Sequence, residues 1–319
     1  MKKALSIILG VVCVLTTFLT VITFKSTANE PFNDDRQILT VWQIDSFEGG
    51  VGSRTSFLKK VCNSYTTKNP NVLFLVSAHT VESAKKLIER GQYPDLISYG
   101  ACGIDIGSRA LEIKGFNEVN DGGAPIKKRY AISWCRGNYF HIKRGNGGEL
   151  ILSENLYNSS LASATYNGVF KDNYLVLEPL TAYRSFTAKK NVEMIGTGRD
   201  IVRLTNRKID FTATALSGYN DLYQYISITS NTNEKIAVAN AFIKYLLSEE
   251  VQKKLTEINM LSSVIKGLYA DEYFSLAEKC NFTVTAKFYQ TEEEINDIKQ
   301  NALAFFKNRS SEDFIKSLK

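Results

Sequence analysis

Histidine is nearly missing from this chain: His79 and His141 are the only two in 319 residues. That scarcity excludes a histidine-rich metal centre, and neither residue sits in a motif that would make a lone imidazole a catalytic base. The five cysteines form no CxxC pair, so a zinc ribbon or a dithiol redox motif is excluded as well. No HExxH or GxSxG occurs, "GTGRD" and "RGNGGE" lack the third glycine of a dinucleotide fingerprint, and no P-loop lysine follows a glycine-rich turn. Asp45 and Glu48 could be imagined as a glycosidase pair, but they are three apart in one loop and ill placed to flank a sugar bond. The sequence therefore predicts no catalytic residue, no metal site and no cofactor. It predicts a protein that is not an enzyme.

Proline is scarce at 5, while 16 Tyr and 18 Phe supply ample aromatic surface. This is not the composition of a disordered chain, and the length allows two domains of ordinary size. The net charge of +6 is modest and its clusters are short, Lys127-Lys128-Arg129 and Lys189-Lys190. With no recognition-helix or RNP-like pattern, no nucleic-acid partner is expected.

One long uncharged run exists. Lys2 and Lys3 precede "ALSIILGVVCVLTTFLTVITF", residues 4 to 24. As a helix at about 1.5 Å per residue it reaches about 31 Å, enough to cross a bilayer core. The leading lysines keep the N-terminus cytoplasmic, so the remainder is exported to the outer face of the membrane. The length favours a retained transmembrane anchor. The small residues Ser26-Thr27-Ala28 offer the alternative of a cleaved signal. Cys13 follows a valine, which a lipobox does not tolerate. Export permits disulfides, and Cys62, Cys102, Cys135 and Cys280 allow three pairings that the sequence does not rank. Cys62 shares an apolar helical stripe with Leu58 and Tyr65 and reads as core.

Beyond the run, "ILTVWQ" (38 to 43) reads as a buried strand followed by the glycine-rich "IDSFEGGVGS". Phe57, Leu58, Val61 and Tyr65 mark a helix, "VLFLVSA" (72 to 78) a strand, and Thr80 caps a helix through Leu87 and Ile88. "YPDLISYG" (93 to 100) is a third strand. Strand and helix alternating with short links is the pattern of a parallel sheet with right-handed crossovers. Ligands of such sheets bind beyond the carboxyl ends of the strands. Trp42, Phe47 and Tyr99 are thus expected to converge on one edge.

From residue 130 the pattern loosens. "RYAISWCRGNYFHIKR" alternates like strands, "LILSENLYNSSLASATYNG" reads as helical, and "LYQYISITSNTN" is a strand. Tyr219, Tyr223 and Tyr225 raise the thought of a ferric site, but alternation on a strand predicts packing. Arg199, Arg203 and Arg207 lie four apart and read as a solvated helix face. "AFIKYLLSEEVQKKL", 241 to 255, is an apolar helix, a bend and a second helix, with Ser248 expected as N-cap and Glu249 and Glu250 at the positive end of the new turn. Thr291 and Glu294 form a capping box ahead of a last helix.

Four stretches together carry a resemblance: "LTVWQIDSFEGG", "YTTKNPNVLF", "YPDLISYG" and "NEKIAVANAFIKYLLSEEVQKKLTEINMLSSV". In this order they resemble the extracellular solute-binding proteins of ABC importers, in the sugar-binding branch. The resemblance covers roughly residues 38 to 265 and departs at Leu261-Ser262-Ser263, where that family often carries "LPV". It implies an α/β, two-lobed periplasmic-binding-protein-like (type II) fold behind an N-terminal transmembrane or signal helix. Residues 1–30 would be anchor and stalk, 36–133 with 230–260 lobe one, and 134–229 with 261–319 lobe two. It further implies a small solute, a carbohydrate first of all, held between the lobes for an ABC permease. A membrane-anchored sensor of the same fold is the alternative. Sugar C–H faces stack on rings and sugar hydroxyls need polar partners. The expected stacking residues are Trp42, Phe47, Tyr99, Trp134 and Tyr219; the expected polar ones are Asp45, Glu48 and Arg136.

Overall fold

The computed structural model describes residues 36–47, 53–101, 103–116, 129–285, 287 and 289–318. The expected anchor, the stalk, Glu48 and Cys102 lie outside them. Among the described residues no helix is long and apolar enough to cross a membrane.

The chain begins with β1 (Gln37–Ile44), α1 (Ser53–Lys68), β2 (Val72–His79), α2 (Val81–Glu89) and β3 (Leu96–Gly100). Then come β4 (Ile132–Arg136), β5 (Tyr139–Arg144), β6 (Glu149–Ser153), α3 (Ser160–Tyr166), β7 (Tyr174–Leu177) and α4 (Pro179–Ala188). They are followed by β8 (Val192–Thr197), α5 (Gly198–Asn206), β9 (Thr212–Ala215), β10 (Gly218–Asn220) and β11 (Tyr223–Ile228). The last part holds α6 (Asn233–Leu246), α7 (Glu249–Gln252), α8 (Glu272–Glu278), β12 (Phe282–Thr285), α9 (Glu292–Lys307) and α10 (Ser311–Ser317).

Two five-stranded sheets organise these elements, in the orders β2-β1-β3-β11-β4 and β7-β6-β8-β5-β9. In the first, β1 runs parallel to β3, and β11 inserts antiparallel between β3 and β4. In the second, β6, β7 and β8 are parallel, and β5 is antiparallel to both β8 and β9. The first sheet thus reaches past the expected lobe boundaries. β4 runs through 133, and β11 belongs to it although 223 to 228 was expected in lobe two. A strand that pairs with distant partners leaves no local signal of which sheet it joins.

Helix caps follow the sequence closely. Thr80 Oγ1 accepts from Ser83 N at 3.1 Å, and Thr291 and Glu294 form the reciprocal box. Ser248 is a correction. It occupies the N-cap position of α7, but its hydroxyl makes no capping bond and has no partner, while its carbonyl accepts from Val251 and Gln252 N–H. Phe242 of α6 packs on Phe74 of β2 at 4.6 Å and on Tyr65 of α1 at 5.7 Å. The late helical pair therefore closes over the first sheet. Gln252, fully buried, ties the bend in place by donating to Trp134 O and Leu246 O while accepting from Ser262 Oγ.

Three segments cross between the sheets: 136–139, 220–223 and the stretch around 261. They are bonded to one another. Arg136 and Leu261 exchange backbone bonds of 2.9 and 2.8 Å, and Gly137 N donates to Leu222 O at 2.7 Å. Ser262 N donates to Tyr269 Oη at 2.8 Å, a bond that a proline in this place could not make. Cys62, Cys135 and Cys280 are buried free thiols, and burial pushes those of Cys62 and Cys135 up.

Candidate functional site

A cavity of about 450 Å³ lies between the sheets, at the carboxyl ends of their parallel strands. From the first sheet it is lined by Asp45, Ser46 and Phe47 beyond β1, and by Thr80, Val81 and Glu82 at the start of α2. From the second it takes Glu154, Asn155, Leu156 and Tyr157 beyond β6, Glu178 and Pro179 opening α4, and Arg199 opening α5. A smaller recess of about 40 Å³ continues inward to Tyr139, Asn158 and Leu222 at the crossing segments. The position is what a parallel strand–helix architecture dictates, since short loops and helix N-termini gather at that edge.

The loop after β1 approaches β3 so closely that a Cβ on Gly100 would collide with Ser46 Oγ. Asp45 pairs with Arg54 at 2.7 Å and accepts from Gln43 Nε2 at 2.8 Å. The Arg54 guanidinium lies 4.3 Å from the Phe47 ring centre and donates to Phe47 O. Glu82 is held below the usual carboxylate range by its own backbone N–H and by the Thr80 hydroxyl. Across the gap, Tyr157 Oη donates to Glu82 at 3.4 Å, and Lys85 of α2 pairs with Glu292 of α9. Glu154 is pushed up by burial and serves α3, accepting from Leu161 N at 2.7 Å and from the Ser159 and Ser160 hydroxyls.

Among the residues lining the cavity and its recess, two buried polar atoms have no hydrogen-bond partner: Ser46 Oγ on the wall and Asn158 Oδ1 in the recess. A buried acceptor or hydroxyl left unpaired costs about 1–3 kcal/mol, so such atoms are normally met by water or ligand.

Of the expected site residues, Asp45 and Phe47 line the cavity. Glu48 lies outside the described residues, and the remaining five are placed elsewhere. Trp42 lies half-buried on a sheet face against His79, ring centres 4.6 Å apart. Tyr99 is buried and bonds Ser227 Oγ at 3.0 Å. Trp134 has no exposed surface, stacks 6.0 Å from Phe57 and donates to Ser98 Oγ. Tyr219 is buried and donates to Asp221 at 2.9 Å. Arg136 is buried at the first crossing and faces a different cavity. These rings and this guanidinium are not part of the cavity wall. Sequence reading missed Ser46, Glu82, Asn155, Tyr157 and Asn158, and took Arg199 for solvated surface. The signal lay in "LILSENLY": β6 occupies Glu149–Ser153, where a helix was expected, and the loop after it carries the lining residues.

No protein-family model matches the sequence, and no curated protein matches it. Solved structures do. A chitin oligosaccharide binding protein superposes with TM-score 0.57 at 11% identity, covering 89% of this chain and 97% of its own. The cyclic alpha-maltosyl-1,6-maltose binding protein from Arthrobacter globiformis gives 0.57 at 10%, covering 89% and 97%. The maltose/maltodextrin-binding domain from Bdellovibrio bacteriovorus, bound to maltotriose, gives 0.53 at 11%, covering 88% and 98%. This is the two-lobed periplasmic-binding-protein-like fold, type II. The 450 Å³ cavity lies between the two lobes of that fold, which the three crossings connect.

Beside the crossings, Asp221 sits buried between Tyr139 Oη at 2.7 Å, Tyr219 Oη at 2.9 Å and Ser159 N at 2.7 Å. Burial outweighs these donors and raises its carboxyl from the ordinary 3.8 to about 6. The folded protein therefore holds this proton more tightly than the unfolded chain does. The contribution to stability is full below the ordinary aspartate range and is lost as pH rises through about 6. Two units correspond to about 3 kcal/mol. Urea midpoints of wild type and Asp221→Asn between pH 4 and 8 should differ by a gap that moves in the variant's favour as pH rises. A gap independent of pH overturns the assignment.

Proposed function

We propose that the protein is a non-catalytic receptor that captures a carbohydrate in the interlobe cleft and hands it to an ABC permease. The observation that carries this reading is the cleft wall itself. Unpartnered Ser46 Oγ and Asn158 Oδ1, with Asn155 and Glu82, meet the hydroxyls, while Tyr157, Leu156 and Pro179 offer apolar surface to C–H faces. The proteins of like fold named above bind oligosaccharides, which supports the same class here. Solute bridging Glu82 and Tyr157 stabilises the closed form, the one a permease is built to recognise.

The moving bodies in this proposal are the two sheets with their helices, pivoting on the three crossings. Export to the outer face of the membrane, with residues 4 to 24 kept as an anchor, belongs to the same proposal. The intact mass of the mature protein decides between anchor and cleaved signal.

A thermal-shift screen against mono- and oligosaccharides should find a ligand that adds about 2.7 kcal/mol at 100 times its dissociation constant. Tyr157→Ala should then weaken that ligand by roughly 1–3 kcal/mol, since it removes a ring from the cleft wall. A screen in which no sugar raises the melting temperature, or a variant that binds as well as wild type, sinks the reading.

A further inference from the structure

A second cavity, of about 290 Å³, opens against the crossings and shares no lining residue with the cleft. All three crossings contribute to its wall: Arg136 from the first, Tyr223 from the second, and Ser263 and Lys266 from the third. Leu222 lines the cleft recess and Tyr223 lines this cavity, so the second crossing runs between the two.

Its chemistry is one-sided. Arg136 is buried, and its three hydrogen bonds go to neutral oxygens: Gly137 O at 3.5 Å, Asn138 Oδ1 at 3.2 Å and Ala277 O at 3.1 Å. It makes no ion pair with a described residue. The buried Glu278, next in sequence to Ala277, turns its carboxylate to Leu268 N at 2.8 Å instead. A guanidinium keeps its charge at any working pH and carries five donors, so donors remain for the cavity. Lys266, at the same wall, reaches Asn281 Oδ1 at 3.4 Å and makes no ion pair with a described residue. A buried cation with no carboxylate in direct contact is costly even though Glu278 acts on Arg136 from a distance, and the fork geometry of arginine matches planar oxyanions.

We propose that this cavity is a second ligand site that takes a small oxyanion, a carboxylate or a phosphate, on Arg136 and Lys266. Because the anion touches all three crossings, its occupancy stiffens the hinge, and whatever the hinge motion serves is coupled to it. The proposal does not depend on what the cleft holds.

The test is a titration of the full chain with sodium phosphate, sodium citrate and, at matched ionic strength, sodium chloride. Melting temperature and backbone hydrogen exchange are the readouts. A saturable rise with phosphate or citrate, absent with chloride, together with slowed exchange at 136–139, 220–223 and 261–266, supports the site. Which of the two anions gives the rise tells phosphate from carboxylate. Lys266→Glu, an exposed change expected to fold normally, should weaken the effective anion at least about tenfold. Arg136→Gln should abolish the response in any fraction that folds. The proposal is overturned by an equal response to chloride, by a Lys266→Glu variant that responds like wild type, or by protection confined to the cleft loop at 154–158.

Discussion

Trp134→Ala should cost about 3–5 kcal/mol of stability, which is a large share of what a folded domain has. The ring is wholly enclosed, stacked at 6.0 Å on Phe57, and its Nε1–H donates to Ser98 Oγ at 2.9 Å. Truncation leaves a void the size of an indole beneath α1 and removes one of the two donors to the buried Ser98 hydroxyl, which keeps only Gln224 Nε2 at 3.1 Å. The sequence pointed the other way, to weakened solute binding with the fold intact. Urea denaturation followed by far-UV circular dichroism separates the two. A variant with an unchanged midpoint and lost binding would restore the stacking role and contradict the packing described here.

Asp45→Ala should be comparably severe, about 3–5 kcal/mol, for an electrostatic reason. Arg54 has no exposed side-chain surface, and the Asp45 carboxylate faces it at 2.7 Å. Removing the carboxylate leaves a guanidinium that stays charged in a place where water does not reach it. Replacing both residues, as Asp45→Ala with Arg54→Met, should recover part of the loss, because the buried guanidinium disappears together with the carboxylate it meets at 2.7 Å. The double-mutant cycle is the measurement. If the two single losses simply add, the pair is not coupled and the electrostatic account is wrong.

Local signals read well in this chain. The first three strands, the caps at Thr80 and Thr291, and the pair of helices around Ser248 all rest on period and on short-range hydrogen bonding, both of which sequence displays. The cleft read poorly for a geometric reason. Residues within a strand, such as Trp42 and Tyr99, point to the sheet faces and are claimed by helices packed there. Only residues one to three places past the strand end, such as Ser46 and Phe47 or Thr80 and Glu82, can turn into the gap. In the second lobe the short apolar run "LIL" did not announce a strand, because three apolar residues before a helix suit either structure. With β6 unseen, Glu154 and Tyr157 had no strand end to belong to.

The place of β11 has a kinetic consequence. Leu96 pairs with Ile228, and Ile132 pairs with Ile226, so the strand at the heart of the first sheet reaches it only after the whole second sheet has been threaded past. Closing so large a loop is slow, and pairings of this kind lower folding rates. During synthesis, β3 and β4 therefore wait with open edges while the second lobe condenses. A chain cut short before residue 228 exposes two unpaired strands, which is the profile of a species that aggregates or is degraded.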